Sequence, residues 1–260
     1  MIKSLLGLYQ QGRGYPISLL HGWGMNAAVF EPLAQHLADS FAVMRVDLPG
    51  YGQSSYLAST RFDQAVDLLA EQLPDGALMG WSMGGLYAIE LARRFPQKFP
   101  VLVLVSSNPC FVQRKDWVSA VDAAVFKEFS TGLIENWRVT IRRFLGLQMH
   151  GAEGERTLIR QISELLLQGG EPGPDVLKSG LDLLLSMDAR GALRQVLVPT
   201  LVVLGERDTL VPIALAEQLN SINPAIRVEC LAGSAHAPFL SHREEFAGLL
   251  REFVTSATAG

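Results

Sequence analysis

Six short apolar runs alternate with amphipathic stretches along most of this chain, and each run ends at a loop-forming residue. The runs are rich in β-branched residues or leucine, and their near-continuous apolarity is typical of strands that are buried on both faces. This alternation predicts an α/β fold with a mostly parallel central sheet flanked by helices. The predicted strands are Ile17–His21, Phe41–Asp47, Ala77–Trp81, Val101–Ser106, Thr200–Gly205 and Arg227–Leu231.

Amphipathic segments between these runs predict the crossover helices, and residues 2–9 are a candidate for one further strand. The helices predicted in this way are Val29–Ala38, Phe62–Gln72, Met83–Phe95, Ile213–Ile222 and Arg243–Val254.

The alternation stops between Val112 and Asp188, where only helical patterns occur. A helical insertion in an α/β domain is typical of a cap that covers the carboxyl ends of the parallel strands. We therefore divide the chain into a core domain, residues 1–111 and 189–260, and an inserted all-helical cap, residues 112–188. The predicted cap helices are Trp117–Phe129, Leu133–Leu147, Glu155–Leu167 and Val176–Ser186.

Charge and cysteine content narrow the function classes. The net charge is −4 over 260 residues, which argues against a general nucleic-acid-binding protein. The only two cysteines, Cys110 and Cys230, exclude a disulfide scaffold and leave a zinc site without enough thiolates, so we expect two buried thiols. No signal-peptide core and no membrane-spanning run occur, so we expect a cytoplasmic protein, a monomer without membrane contact.

The segment Gly80–Gly84 reads Gly-x-Ser-x-Gly, and it lies between a predicted strand and a predicted helix. A serine on such a sharp turn has a strained backbone, and its neighbours two positions away approach so closely that both must be glycine. The turn exposes the hydroxyl of Ser82 at a helix N-terminus, where developing negative charge is stabilised. The context predicts a nucleophile.

Other interpretations of this segment are weaker. A phosphate-binding loop would need a Lys-Ser or Lys-Thr pair, which is missing at the required spacing. The glycines Gly80, Gly84 and Gly85 do not form the Gly-x-Gly-x-x-Gly pattern of a dinucleotide site. A glycine-rich turn with an incidental serine remains the structural alternative.

An oxyanion hole is predicted from the loop that follows the first strand, His21–Gly24. The backbone amides of Trp23 and Met83 form the natural pair of donors for a substrate oxyanion. The Trp23 side chain either lines the acyl pocket or belongs to the core. We expect His21 to be structural and bonded to nearby loop backbone.

A serine nucleophile needs a base at neutral pH and a carboxylate that orients that base. Of the five histidines, His236 lies in a loop of small residues between the last strand and the last helix. Asp208 follows another predicted strand, before a proline. The chain order Ser82, Asp208, His236 is the order expected for a serine hydrolase on a doubly wound sheet.

These motifs resemble the α/β-hydrolase superfamily over nearly the whole chain. Within it the chain resembles the BioH-type carboxylesterases, the pimeloyl-[acyl-carrier protein] methyl ester esterases of biotin synthesis. The segments that carry the resemblance are Leu19–Asn26, Asp47–Ser54, Met79–Leu86, Ser106–Cys110, Arg143–Gln148, Gly205–Asp208 and Gly233–His236.

The resemblance implies hydrolysis of the methyl ester of pimeloyl-[acyl-carrier protein], with release of methanol and without a metal or organic cofactor. It also implies that the oxyanion tryptophan and part of the cap line the acyl site. Carried over to this sequence, the implied substrate-binding residues are Trp23, Ser82, Met83, Phe144, Leu145, Gly146, Leu147, Gln148 and His236.

Arginines of the predicted cap helices form a candidate docking surface for an acidic acyl carrier protein and its phosphopantetheine phosphate. Within each helix, arginines at i,i+4 share a face. An ordinary solvated face is the alternative, because Glu153, Glu155 and Glu164 lie nearby in sequence. The candidate contacts are Arg138, Arg142, Arg143, Arg156 and Arg160.

Two further functions remain open at this point. The same three catalytic groups would serve a broad-specificity short-chain carboxylesterase, which would accept small esters, or a C–C bond hydrolase. A non-catalytic ligand receptor with a hydrolase fold would keep the pocket but resist labelling by a serine-directed phosphonate.

Overall fold

The computed structural model describes residues 5–55 and 61–259. Seven strands form one sheet in the order β1-β3-β2-β4-β5-β6-β7, in which all neighbours are parallel except the edge strand β1, which is antiparallel to β3. The predicted α/β fold is confirmed. The strands are β1 (Leu8–Gln11), β2 (Tyr15–Leu20), β3 (Phe41–Val46), β4 (Ala77–Trp81), β5 (Val101–Val105), β6 (Thr200–Gly205) and β7 (Arg227–Leu231).

Helices cover both faces of this sheet, as the right-handed crossover of parallel strands requires. A short 3-10 helix, Ala27–Phe30, precedes the first α-helix. The α-helices are α1 (Glu31–Leu37), α2 (Phe62–Gln72), α3 (Met83–Arg94), α4 (Ala123–Met149), α5 (Glu155–Gly169), α6 (Pro174–Ser186), α7 (Arg190–Arg194), α8 (Leu215–Ile222), α9 (Pro238–Ser241) and α10 (Arg243–Thr258).

The central strands β4, β5 and β6 are buried at every residue, as their apolar runs predict. The edge strand β7 behaves differently, because it has a neighbour on one side only and exposes part of its length. Cys230 lies on this strand and is exposed, while Cys110 is buried. The expectation of two buried thiols is therefore wrong for Cys230. The candidate strand at residues 2–9 corresponds to β1, which begins later, at Leu8, and ends at Gln11. Residues 1–4 lie outside the described residues.

The first two cap helices form a bent unit, the cap hairpin, residues 123–149. The backbone leaves the helical region at Asn136, whose φ is −158° and ψ is 88°. In one straight helix the side chains of Glu128 and Arg143 would lie about 22 Å apart along the axis, yet their Oε1 and Nη1 atoms are 2.7 Å apart. The chain therefore folds back on itself at Asn136.

This geometry corrects the two predicted helices Trp117–Phe129 and Leu133–Leu147. The first begins later, at Ala123, where the side chain of Asp122 accepts a hydrogen bond from Ala124 N at 2.8 Å. The break between the two helices of the cap hairpin lies at Asn136 rather than at residues 130–132. Among the described residues, no helix is long and apolar enough to cross a lipid bilayer.

Candidate active site

Ser82 follows β4 directly and begins the turn into α3 with φ 53° and ψ −122°, a conformation that residues with a side chain rarely adopt. The space around this turn explains the flanking glycines. A Cβ on Gly80 would lie 2.6 Å from the carbonyl oxygen of Gly84, and a Cβ on Gly84 would collide with the carbonyl oxygen of Leu20. The backbone thus presents the hydroxyl of Ser82 at the carboxyl edge of the sheet.

His236 and Asp208 meet in a buried pair beside this edge. The Nδ1 atom of His236 and the Oδ2 atom of Asp208 are 2.8 Å apart, and both side chains are almost fully buried. The other carboxylate oxygen of Asp208 accepts hydrogen bonds from the amides of Leu210 at 2.9 Å and Val211 at 3.0 Å. These donors hold the carboxylate so that one oxygen faces the imidazole.

Backbone contacts fix the loop that carries His236. The indole nitrogen of Trp81, the residue before the serine, donates to the carbonyl oxygen of His236 at 2.8 Å. The amide of His236 donates to the carbonyl oxygen of Gln148 in the cap hairpin at 3.1 Å. The Nε2 atom of His236 is buried and has no hydrogen-bond partner in the described part of the chain. This nitrogen is therefore available to accept a proton.

The loop after β2 passes directly over the serine. A Cβ on Gly22 would lie 3.1 Å from the Cβ of Ser82. The amides of Trp23 and Met83 make no backbone hydrogen bond within residues 5–55 and 61–259. Two free N–H groups beside a serine hydroxyl are what an oxyanion hole requires.

The structure places the Trp23 side chain at the boundary between core and cap. Its indole N–H donates to the carbonyl oxygen of Leu177 in α6 at 2.8 Å. Its ring packs edge to face against Phe144, with ring centroids 4.7 Å apart, and against Phe129 at 6.4 Å. The side chain is fully buried. Trp23 thus contacts two cap helices while its backbone faces Ser82, and Ser82 itself is only 4% exposed under this cover.

Residues 144–148, which the resemblance implies as part of the acyl site, do not lie on one face of their helix. Phe144, Leu145 and Gln148 are buried on the inner face of the cap hairpin, whereas Gly146 and Leu147 are only partly buried. These last two line an outer groove of about 490 Å³ together with Arg143 and other residues. An α-helix allows positions i, i+1 and i+4 to share one face, so a continuous run of five cannot line one pocket.

Gln148 has the most unusual environment within this run. Its side chain is fully buried, and neither its amide oxygen nor its amide nitrogen has a hydrogen-bond partner in the described residues. A buried amide without partners costs free energy unless a ligand or water satisfies it. Because its backbone contacts His236, Gln148 is a candidate contact for a bound substrate.

A cavity of about 230 Å³ opens between α2 and α6 and reaches Met83. Its wall includes the aromatic rings of Phe62 and Tyr87 and the small residue Gly180. A Cβ on Gly180 would lie 2.6 Å from Cδ1 of Trp23. The cavity therefore borders Met83 and lies next to Trp23 across Gly180.

The five candidate arginines are not equivalent. Arg138 pairs with Glu171 at 3.1 Å, Arg143 with Glu128 at 2.7 Å, and Arg160 lies 4.0 Å from Glu164. Those pairs reduce the positive charge that a partner would meet. The exposed arginines Arg142 and Arg156 have no ion pair among the residues described, and the structure does not otherwise distinguish them.

Sequence reasoning missed two contributors to this site. Phe129 contacts Trp23 and Phe144, but its position on a predicted helix gave no sign of which face would meet the core. Asp47 is buried and accepts hydrogen bonds from Ala27 N at 2.7 Å and from Gln53 N at 2.8 Å. A carboxylate at the end of an apolar strand was the available signal.

Comparison with known proteins places this geometry in context. The α/β-hydrolase family matches residues 19–249. The chain is 36% identical to a pimeloyl-[acyl-carrier protein] methyl ester esterase of Aliivibrio salmonicida, with 94% of each chain covered. It is 38% identical to one of Xanthomonas oryzae pv. oryzae, over 94% of this chain and 97% of the other. The esterase EaEST from Exiguobacterium antarcticum shares the fold with a TM-score of 0.87 at 24% identity, over 96% of this chain and 95% of the other.

Proposed function

This chain belongs to the α/β-hydrolase family, within it to the group of pimeloyl-[acyl-carrier protein] methyl ester esterases, and we propose that it hydrolyses the methyl ester of pimeloyl-[acyl-carrier protein] to release methanol. It is a carboxylester hydrolase. The observation that carries the chemistry is the strained Ser82 turn beside the buried pair of His236 and Asp208.

The first step is attack of the seryl oxygen on the ester carbonyl. His236 accepts the proton of Ser82 on Nε2, and the new C–O bond forms as the carbonyl electrons move to oxygen. Asp208 stays ionised and stabilises the imidazolium through Nδ1. The amides of Trp23 and Met83 donate to the oxyanion, and one such donor contributes about 3–4 kcal/mol to the barrier reduction.

Collapse of this intermediate breaks the bond to the methoxy group, and His236 returns its proton so that methanol leaves. A water molecule, deprotonated by His236, then attacks the acyl-enzyme and regenerates Ser82. The acyl chain remains on its carrier throughout, because the thioester lies at its other end.

The cap supports the choice of a long, carrier-bound substrate. Phe144 and Phe129 offer an apolar surface next to Trp23, and Gln148 brings two unpaired polar atoms. Such a lining suits a methylene chain that ends in an ester. We further propose that Arg142 and Arg156, which have no ion pair among the described residues, contribute most to docking the acidic carrier protein.

A broad-specificity carboxylesterase for small esters is the second candidate. The observation in its favour is that Arg138, Arg143 and Arg160 lie beside glutamates, which leaves a smaller positive surface than five free arginines would give. The two candidates share all chemical steps and differ only in what the cap recognises.

Mass spectrometry of methyl-pimeloyl carrier protein after incubation with the enzyme tests the proposal. We expect the carrier to lose the mass of one CH₂ group, because the methyl ester becomes an acid. Cleavage of the thioester would instead release the whole acyl group and contradict the proposal. An unchanged carrier together with rapid turnover of small esters would favour the second candidate.

The serine is tested in the same assay. Ser82→Ala should abolish turnover, since it removes the oxygen that attacks the ester; the neighbouring hydroxyl of Ser107 already donates to the carbonyl oxygen of Ser82 at 2.8 Å. The matched control is Ser221→Ala on the exposed face of α8. Measurable hydrolysis by Ser82→Ala at a rate near that of the control would reject the assignment.

A further inference from the structure

We propose that His21 is a positioning residue of the oxyanion hole, because its ring holds the peptide group whose N–H belongs to Trp23. The inference rests on the proposed function, since it concerns how the amide of Trp23 is aimed at the substrate carbonyl.

Hydrogen bonds at both ring nitrogens fix the tautomer of His21. The amide of Leu48 donates to Nε2 at 3.0 Å, so this nitrogen carries no proton. Nδ1 is therefore the protonated nitrogen, and it donates to the carbonyl oxygen of Gly22 at 2.8 Å. The ring is completely buried, and its edge packs against the ring of Tyr51 with centroids 5.0 Å apart.

The contact with Gly22 controls the direction of the next amide. The carbonyl of Gly22 and the N–H of Trp23 belong to one planar trans peptide, in which they point in opposite directions. Holding the oxygen on the side of His21 therefore turns the N–H to the other side, toward Ser82. Glycine at position 22 has no side chain to resist rotation of this plane, so hydrogen bonds to its carbonyl oxygen set the orientation. The contact with His21, at 2.8 Å, is shorter than the hydrogen bond that the amide of Met25 donates to the same oxygen at 3.3 Å.

A second anchor holds the far end of the same loop. Asp47, next to Leu48, accepts a hydrogen bond from the amide of Ala27 at 2.7 Å. It also accepts from the hydroxyl of Tyr9 at 3.1 Å. The loop between Gly22 and Ala27 is thus tied at both ends to the segment that follows β3, and its middle is held against the cap by the hydrogen bond from the Trp23 indole to the carbonyl oxygen of Leu177.

The hydrogen bond that the ring accepts from Leu48 requires a neutral imidazole. Burial lowers the pKa of His21 to about 4, against the smaller opposing effects of the Gly22 carbonyl and the Asp47 carboxylate. A proton on Nε2 would face the N–H of Leu48, and that hydrogen bond would be lost. At neutral pH the ring therefore stays in the tautomer that holds Gly22.

Two substitutions separate the two hydrogen bonds of the ring. The amide nitrogen of His21→Asn reaches the position of Nδ1 and keeps a donor for Gly22, but it loses the acceptor for Leu48. The amide oxygen of His21→Gln reaches the position of Nε2 and keeps the acceptor, but it loses the donor. The variants are matched, since each deletes one hydrogen bond of a buried ring.

We expect kcat for a small ester to fall about 10- to 100-fold in His21→Gln, while KM changes little. This loss is smaller than the loss on removing an oxyanion donor completely, because the amide of Trp23 is misaligned but still present. His21→Asn should keep kcat close to that of the wild type. Thermal unfolding of both variants shows that each is folded. A purely structural role would lower kcat equally in both variants, and that result, or a larger loss in His21→Asn, would overturn the inference.

Nitrogen-15 spectra of the histidine rings in the wild-type protein decide the question even where a variant does not fold. We expect a protonated Nδ1 and a bare Nε2 for His21 at neutral pH. The opposite tautomer would overturn the inference. Ser82→Ala in the same ester assay distinguishes failure of the proposed function from failure of this inference. Activity in Ser82→Ala rejects the proposed function. Loss of activity in Ser82→Ala, together with full kcat in His21→Gln, rejects only the role of His21.

Discussion

The core and the cap hold their parts of the site in different ways. In the core, the polar groups of the site are fixed by hydrogen bonds to backbone, as Asp208 is by two amides and His21 by Leu48 and Gly22. The cap accepts two hydrogen bonds from site residues, at the carbonyl oxygens of Leu177 and Gln148, and adds aromatic packing, as between Phe144 and Trp23. The core therefore positions atoms within narrow limits, whereas the cap provides a surface.

This difference separates chemistry from recognition. Backbone hydrogen bonds keep the direction of a proton or an amide, which catalysis requires. Apolar packing tolerates changes in the shape of a substrate, and charged residues on the outer cap act at longer range. We therefore expect core substitutions to lower kcat for every ester, and outer cap substitutions to change KM for carrier-bound esters alone.

After Ser82→Ala, Asp208→Asn should give the largest loss of kcat. An asparagine cannot hold the correct tautomer of His236 or stabilise its charged form, and the comparable change in another serine hydrolase lowers kcat about 10⁴-fold. Steady-state kinetics should show this loss with a small ester and with the carrier-bound ester alike. Asp175→Asn on the exposed start of α6 is the control. A loss confined to one substrate would contradict the division between core and cap.

Arg142→Glu combined with Arg156→Glu should act on recognition alone. We expect KM for the carrier-bound ester to rise about 10-fold, because two unpaired positive charges that we propose to attract the acidic carrier protein are reversed. The effect should shrink at high ionic strength.

The control for this variant is Arg13→Glu with Arg194→Glu, which makes the same change in net charge at exposed positions of the core domain. Equal effects of the two double variants, or a matching rise in KM for a small ester, would contradict a docking role for the cap arginines.

Acid should weaken the core through His21, and this effect appears in the free energy of unfolding rather than in turnover. The pKa of His21 is about 4 in the folded chain and ordinarily 6.5, so the unfolded state binds an extra proton between these values. The stabilisation is complete above pH 6.5 and is lost as the pH falls, by up to about 1.4 kcal/mol per pH unit. Urea unfolding at several pH values measures the slope.

His21→Asn should reduce that slope, since asparagine does not titrate. Equal slopes for the wild type and His21→Asn would show that other buried groups dominate the acid response.

Agreement between sequence and structure follows how local each determinant is. The strands Ala77–Trp81 and Thr200–Gly205 were predicted at their observed bounds, because a buried strand carries its signal in its own residues. The break in the cap hairpin was misplaced, because the capping role of Asn136, whose Oδ1 accepts from Val139 N at 3.2 Å, was not recognised in the sequence. The exposure of Cys230 was missed, because it depends on β7 lying at the edge of the sheet.

The amino-acid sequence alone determined the α/β class, the glycine-flanked Ser82 turn and the strand ends that carry Asp208 and His236, since each of these depends on neighbouring residues. Tertiary structure decided which atoms meet. Two contacts join segments that are distant in the chain, the hydrogen bond between His21 and Leu48 and the packing of Phe144 on Trp23. The burial of the Gln148 amide without a partner likewise results from tertiary packing. Such contacts depend on how the sheet and the cap pack in three dimensions, and no local pattern of residues records them.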